Sequence, residues 1–168
     1  MSDLEDASRA ATLPSVGSES KPSARVCSIT DALSIVGDRY ALLVAREIRY
    51  GRTRFNDIAA GTGAPRDVLT ARLRKLEAAG ILERRRYAEH PPRYEYLLTE
   101  AGHELHAILL ALKEWGDRHC NPGAEPVVFR HTCGAAFHAL TVCEACREPI
   151  AGGDLTVTGG THPVEATL

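Results

Sequence analysis

Ala64-Pro-Arg-Asp-Val-Leu-Thr-Ala-Arg-Leu-Arg-Lys-Leu-Glu-Ala-Ala-Gly80 is the stretch that decides the fold. Leu69, Leu73 and Leu76 recur at i, i+4 and i+7, which puts three leucines on one face of an α-helix. Arg66, Thr70 and Arg74 recur at i, i+4 and i+8 and share a different face. Pro65 falls in the first turn, where the missing N–H has no intrahelical partner to lose, and Gly80 stops the helix. The stretch predicts a helix over about 65–79 with an apolar face for the core and a basic face for a partner.

Working outward, three helical patterns precede it, at about 27–38, 39–50 and 54–60. Gly51 ends the second of these as a positive-φ residue would. Two strand-like runs follow, at about 81–87 and 93–98, and Ala88-Glu-His-Pro-Pro92 between them cannot join a ladder because proline lacks the donor. They predict a β-hairpin. Thr99 is a good N-cap for a long last helix over about 100–119, striped by Leu105, Ile108, Leu109, Leu112 and Trp115. Helices, a basic reading helix, a hairpin and a closing helix give the order of a winged helix-turn-helix. The fold class is mainly α with a small β-hairpin, plus a zinc-ribbon-like C-terminal module.

The expected organisation is a disordered tail over 1–24, rich in Ser, Ala, Glu and Pro, and the winged helix-turn-helix domain over 25–122. The ribbon-like module follows over 123–152, and a flexible tail over 153–168. A turn, Asn-Pro-Gly from Asn121, closes the main domain.

The chain of 168 residues carries a net charge of −2, which does not announce a nucleic-acid binder. The distribution does: between Arg46 and Arg93 there are twelve Lys/Arg against six Asp/Glu. Arg66, Asp67 and Thr70, beside Pro65, lie in the half of the helix that reaches base edges in a major groove. Arg54, Arg72, Arg74 and Lys75 are candidates for phosphate contact, and Arg84, Arg85, Arg86, His90 and Arg93 for a wing on the backbone or minor groove. Taken singly, each such residue is more often plain solvated surface; the joint order carries the reading.

Five blocks resemble the HxlR-type winged-helix regulators: CSITDALSIVGDRYALLVAREI (27–48), GRTRFNDI (51–58), APRDVLTARLRKLEAAGIL (64–82), HPPRYEYLLTEAG (90–102) and Trp115-Gly116. The family usually has Gly-Lys-Trp where this chain has Asp38-Arg39-Tyr40. The resemblance implies homodimers, with the first and last helices at the interface, on pseudo-palindromic DNA. It also implies a role for Cys27, since several such regulators sense oxidants through a cysteine at this place. Independently, a helix N-terminus stabilises a thiolate, while the plainer reading of Cys27 is a small buried hydrophobe.

His131-Thr-Cys133 and Cys143-Glu-Ala-Cys146 are the candidate ligands of a structural zinc, with His119, Cys120 and His138 as substitutes for one of them. The C-x-x-C is also compatible with a thiol redox pair, and the segment with a ribbon that folds without metal. Two other function classes fit the sequence less well. A thiol or zinc-dependent redox enzyme lacks the βαβ setting of such motifs, and no catalytic triad, phosphate loop or carboxylate pair is visible. A winged-helix module that binds only protein would have lost the basic residues that this chain keeps. With no secretory pattern at its start and no bilayer-length apolar run, the expected location is cytoplasmic.

Overall fold

The computed structural model describes residues 27–120 and 127–156. Its elements run α1 (Ser28–Val36), α2 (Ala41–Arg49), α3 (Phe55–Thr62), α4 (Arg66–Ala78), β1 (Leu82–Ala88), β2 (Arg93–Leu98) and α5 (Glu100–His119). This is the expected order, with helix ends shifted by one or two residues. The tail over 1–24, the turn at Asn121 and all but 153–156 of the last tail lie outside the described residues.

These residues divide into two units. The first is Asp31–Leu105. Its core is built where the leucine spacing required: Leu69, Leu73 and Leu76 of α4 are buried, as are Val44 and Ile48 of α2, Ile58 of α3 and Ile81–Leu82 at the start of the hairpin. Three turns rest on glycines in the left-handed region, of which Gly51 (φ 84°) and Gly80 (φ 72°) end α2 and α4 as the sequence predicts. β1 and β2 pair antiparallel, Leu82 opposite Leu98 through Arg86 opposite Tyr94, with an irregularity between Arg86 and Ala88. On the far edge of β2, Tyr96 N–H donates to Thr53 O at 2.8 Å and Arg54 bridges Glu95, which ties the approach to α3 onto the hairpin.

Two packing details hold this unit. Glu47 is 2% exposed, yet its carboxylate accepts from Arg46 and Arg52, which turns a buried charge into a clasp between α2 and the α2–α3 turn. A Cβ on Gly61 would strike that carboxylate. Thr99 caps α5: its hydroxyl accepts from Gly102 N–H at 3.2 Å and donates to Gly80 O at 2.6 Å. Gly102 then lies directly on Ile81 O and the Leu98 side chain, with no room for a Cβ.

The second unit comprises 27–30, 106–120 and 127–156 among the described residues. The division therefore falls inside α5, whereas the sequence places a boundary at 122. From 127 to 156 no residue is buried. Val127, Val128 and Phe129 form no strand. From 127 to 156 only isolated bridges occur, Arg130 with Ala136 and Val142 with Pro149, and Val127 and Val128 are exposed. Lys113 and Glu114 of α5 meet this segment at Phe129 and His138.

Candidate nucleic-acid interface

Helix α4 carries the reading face that its period predicted. With the leucines buried, Pro65, Arg66, Asp67 and Arg74 are exposed and Thr70 is half-buried. Arg66 is not loose: its guanidinium donates to Asn56 Oδ1 at 3.1 Å and lies 4.8 Å above the Phe55 ring. Both partners are at the start of α3, and neither was foreseen from sequence; a polar and an aromatic residue opening the preceding helix was the available signal. Thr70 Oγ1 donates back to Arg66 O at 2.7 Å, so its oxygen lone pairs, not its proton, face outward.

The other side of the α3 start meets the hairpin. Arg54 stacks 4.6 Å over Tyr87 of β1. Since Phe55 touches Arg66 and Arg54 touches Tyr87, the first turn of α3 joins the reading end of α4 to the wing. On the hairpin, register sets two faces. Arg84 and Arg86 share a face with Tyr94 and Tyr96, and Arg84 lies 3.6 Å over the Tyr94 ring. Arg85 points the other way and pairs with Glu95 at 2.9 Å. Arg86 reaches Glu89 at 3.3 Å near the tip, where His90 and Arg93 are exposed. Burial raises the Tyr96 phenol above its ordinary value, the Arg84 charge opposing it.

Arg72 and Lys75 are tied to a carboxylate of the same chain. Both turn to Asp38 in the α1–α2 connection, Arg72 at 3.0 Å and Lys75 at 2.7 Å, and the Arg72 Nε is buried without a hydrogen-bond partner. The Lys75 hydrogen bond and the two positive charges hold the Asp38 carboxyl below its ordinary value. Both cations, read from the sequence as candidates for phosphate contact, are thus engaged by Asp38, the residue that departs from the Gly-Lys-Trp pattern.

Cys27 is half-buried immediately before α1. No disulfide joins any of the five cysteines. In the second unit Cys143 is half-buried, and its thiol pKa is lowered chiefly by the Cys146 and Ala145 amides and the Cys146 side chain. His131, Cys133 and Cys146 are exposed. Among the described residues no three His, Cys, Asp or Glu side chains are gathered where one metal ion would meet them all. No helix among them is long and apolar enough to cross a membrane.

Comparison with known proteins agrees with this geometry. The chain is 39% identical over 135 residues to an uncharacterized HTH-type transcriptional regulator of Mycobacterium tuberculosis, Rv3095, covering 79% of this chain and 85% of that one. The crystal structure of PA1607, a candidate transcription factor, superposes with a TM-score of 0.71 at 29% identity, over 79% of this chain and 94% of that one. The redox regulator HypR in its reduced form matches at 35% identity with a TM-score of 0.51, over 56% of this chain and 95% of that one. The profile of the HxlR-like helix-turn-helix family matches residues 35–124, more than half of the chain. With a buried leucine face on α4, a basic reading end and an arginine-lined wing already in place, the chain belongs to the HxlR-like helix-turn-helix family of transcriptional regulators.

Proposed function

We propose that the chain acts as a homodimer on a pseudo-palindromic DNA operator and regulates transcription by binding rather than by catalysis. The observation that supports dimerisation is apolar surface left in solvent on two helices. α1 buries no residue, and Ile29 and Leu33 are 70% and 57% exposed. On α5, Ile108, Leu112 and Trp115, spaced i, i+4 and i+7, are each more than half exposed. Faces of this kind on a water-soluble domain mark a contact surface, and a second copy covers both in a symmetric pair. Two α4 helices then address two half-sites about one DNA turn apart.

In this reading Arg66, held by Asn56 and Phe55, reads a base edge with Asp67 and Thr70. Arg54, Arg74, Arg84, Arg85, Arg86, His90 and Arg93 supply phosphate or minor-groove contact. The compartment is that of the DNA, the cytoplasm. The test is selection of bound sequences from a random duplex pool, followed by binding measurements. Two-fold symmetric half-sites are expected. Arg66→Ala should cost about 1–3 kcal/mol and relax preference at one position of each half-site, while Arg84→Ala should weaken all sequences alike and flatten the salt dependence. Leu112→Glu should give a monomer by light scattering and lose the paired site. Selection of single, asymmetric sites by a monomer would overturn the proposal.

Cys27 is proposed as an oxidant sensor, supported by its place before α1 and by the likeness to HypR. Its thiolate would attack a peroxide oxygen, giving a sulfenic acid and releasing water or alcohol. An oxidant response of operator binding that persists in Cys27→Ser rules this out.

A further inference from the structure

The guanidinium of Arg66 is held at one end. Its Nη1 donates to Asn56 Oδ1 at 3.1 Å, and its central carbon lies 4.8 Å from the centre of the Phe55 ring. Both partners sit in the first turn of α3, so the hold comes from a neighbouring element and not from α4 itself. Arg66 and Asn56 are exposed, while Phe55 is half-buried. An aromatic face under the cation and an acceptor on one nitrogen together restrict a side chain that would otherwise lose much rotamer freedom on meeting a partner.

A guanidinium carries five N–H donors in a planar fork, and its Nε and Nη2 donors lie side by side along one edge. In Arg66, Nη1 is engaged, and neither Nε nor Nη2 has a partner among the described residues. A whole two-donor edge therefore remains. In the major groove only guanine sets two acceptors side by side, N7 and O6. Adenine sets an acceptor beside a donor, thymine has one acceptor, and cytosine presents a donor. The neighbours of Arg66 on α4 have the opposite character. Thr70 donates its proton to Arg66 O at 2.7 Å, and Asp67 is an exposed carboxylate, so both offer acceptors. They suit the amino groups of cytosine or adenine, not guanine.

We infer that Arg66 reads a guanine of the bound site through its Nε–Nη2 edge, and that Asn56 and Phe55 are positioning residues that keep this edge for the base. With Nη1 bonded to Asn56, the side edge is the fork left for recognition. Without that bond the same side chain can turn its other end to the groove or swing to a phosphate as a plain charge, which carries no sequence information. A hydrogen bond already in place before DNA arrives also reduces the ordering cost of the contact. Guanine contact rests on the proposed DNA-binding function, and not on dimerisation or on Cys27.

The test is binding of the full chain, by fluorescence anisotropy, to a duplex selected from a random pool. Each guanine of the site is replaced in turn by 7-deazaguanine, which lacks the N7 acceptor. One such replacement should weaken the wild-type chain by about five- to a hundredfold. Arg66→Lys keeps the charge but not the fork, so it should lose most of this sensitivity while still binding unrelated duplex. Asn56→Ala should lower the preference for that guanine by about two- to tenfold, with affinity for unrelated duplex and its salt dependence unchanged. Asn56→Asp, which keeps an acceptor in place, should retain the preference although its charge weakens all sequences alike. A merely structural role for Asn56 would move both affinities together. Sequence-specific binding in which no 7-deazaguanine matters, in which Arg66→Lys stays sensitive, or in which Asn56→Ala keeps its full preference would overturn the guanine contact and leave DNA binding standing. Binding that no sequence improves would overturn both.

Discussion

The unit around α4 and the segment after α5 are stabilised in opposite ways. Asp31–Leu105 is held by burial: Leu69, Leu73, Leu76 and Ile58 have at most 1% of their surface in water, and the polar groups inside, Glu47 above all, are paired. The segment 127–156 is held by backbone hydrogen bonds within two turns, and Val127, Val128 and Leu140 are each at least 60% exposed. Area removed from water stabilises the first at about 25 cal/mol per Å². The second has almost none to remove.

The contrast is most strongly tested by truncating one leucine in each region. Leu73→Ala leaves a cavity in a closed core and should cost about 2–5 kcal/mol by denaturant unfolding, whereas Leu140→Ala should change stability by about 0.5 kcal/mol or less. Equal losses would mean that the second region has a core of its own.

A smaller effect is expected where α5 meets the hairpin. Gly102→Ala adds a methyl against Ile81 O and Leu98 and should cost about 1–3 kcal/mol, while Gly116→Ala, in the second half of the same helix with open space at its Cβ, should be neutral or mildly stabilising. A neutral Gly102→Ala would show that the α5 start is not locked to the first unit.

The smallest effect concerns Asp38. Its carboxyl pKa is lowered in the folded chain, mainly by the Lys75 hydrogen bond. The pairing therefore contributes fully above the ordinary value of 3.8 and is lost as pH falls through the depressed folded value. Asp38→Asn should flatten the acid limb of stability slightly, read by thermal unfolding at stepped pH. An unaltered acid limb would place the acid sensitivity of the unit elsewhere.

Much of the first unit was legible because its determinants are local. The spacing of Leu69, Leu73 and Leu76 fixes which face of α4 is buried, glycines fix where α2 and α4 stop, and Thr99 fixes where α5 begins. The exposed reading end of α4 follows from the same period. What periodicity does not carry is pairing between distant residues. Nothing in the spacing of Arg72 and Lys75 says that Asp38, more than thirty residues earlier, pairs with both. The hold of Asn56 and Phe55 on Arg66 needs two helices to be placed against each other. Arg85 and Arg84 are neighbours in the sequence, yet strand register gives one to Glu95 and the other to Tyr94.

In the second unit the balance is reversed. The cysteines and histidine were visible as letters, but whether they converge depends on the fold, and among the described residues no three His, Cys, Asp or Glu side chains are gathered at one point. The sequence by itself determined a winged helix-turn-helix with a basic reading helix, since helix period and turn chemistry act within a few residues of each other. Only the tertiary structure decided which cations face outward and which are paired, since charge pairing and strand register depend on which distant residues the fold brings within reach.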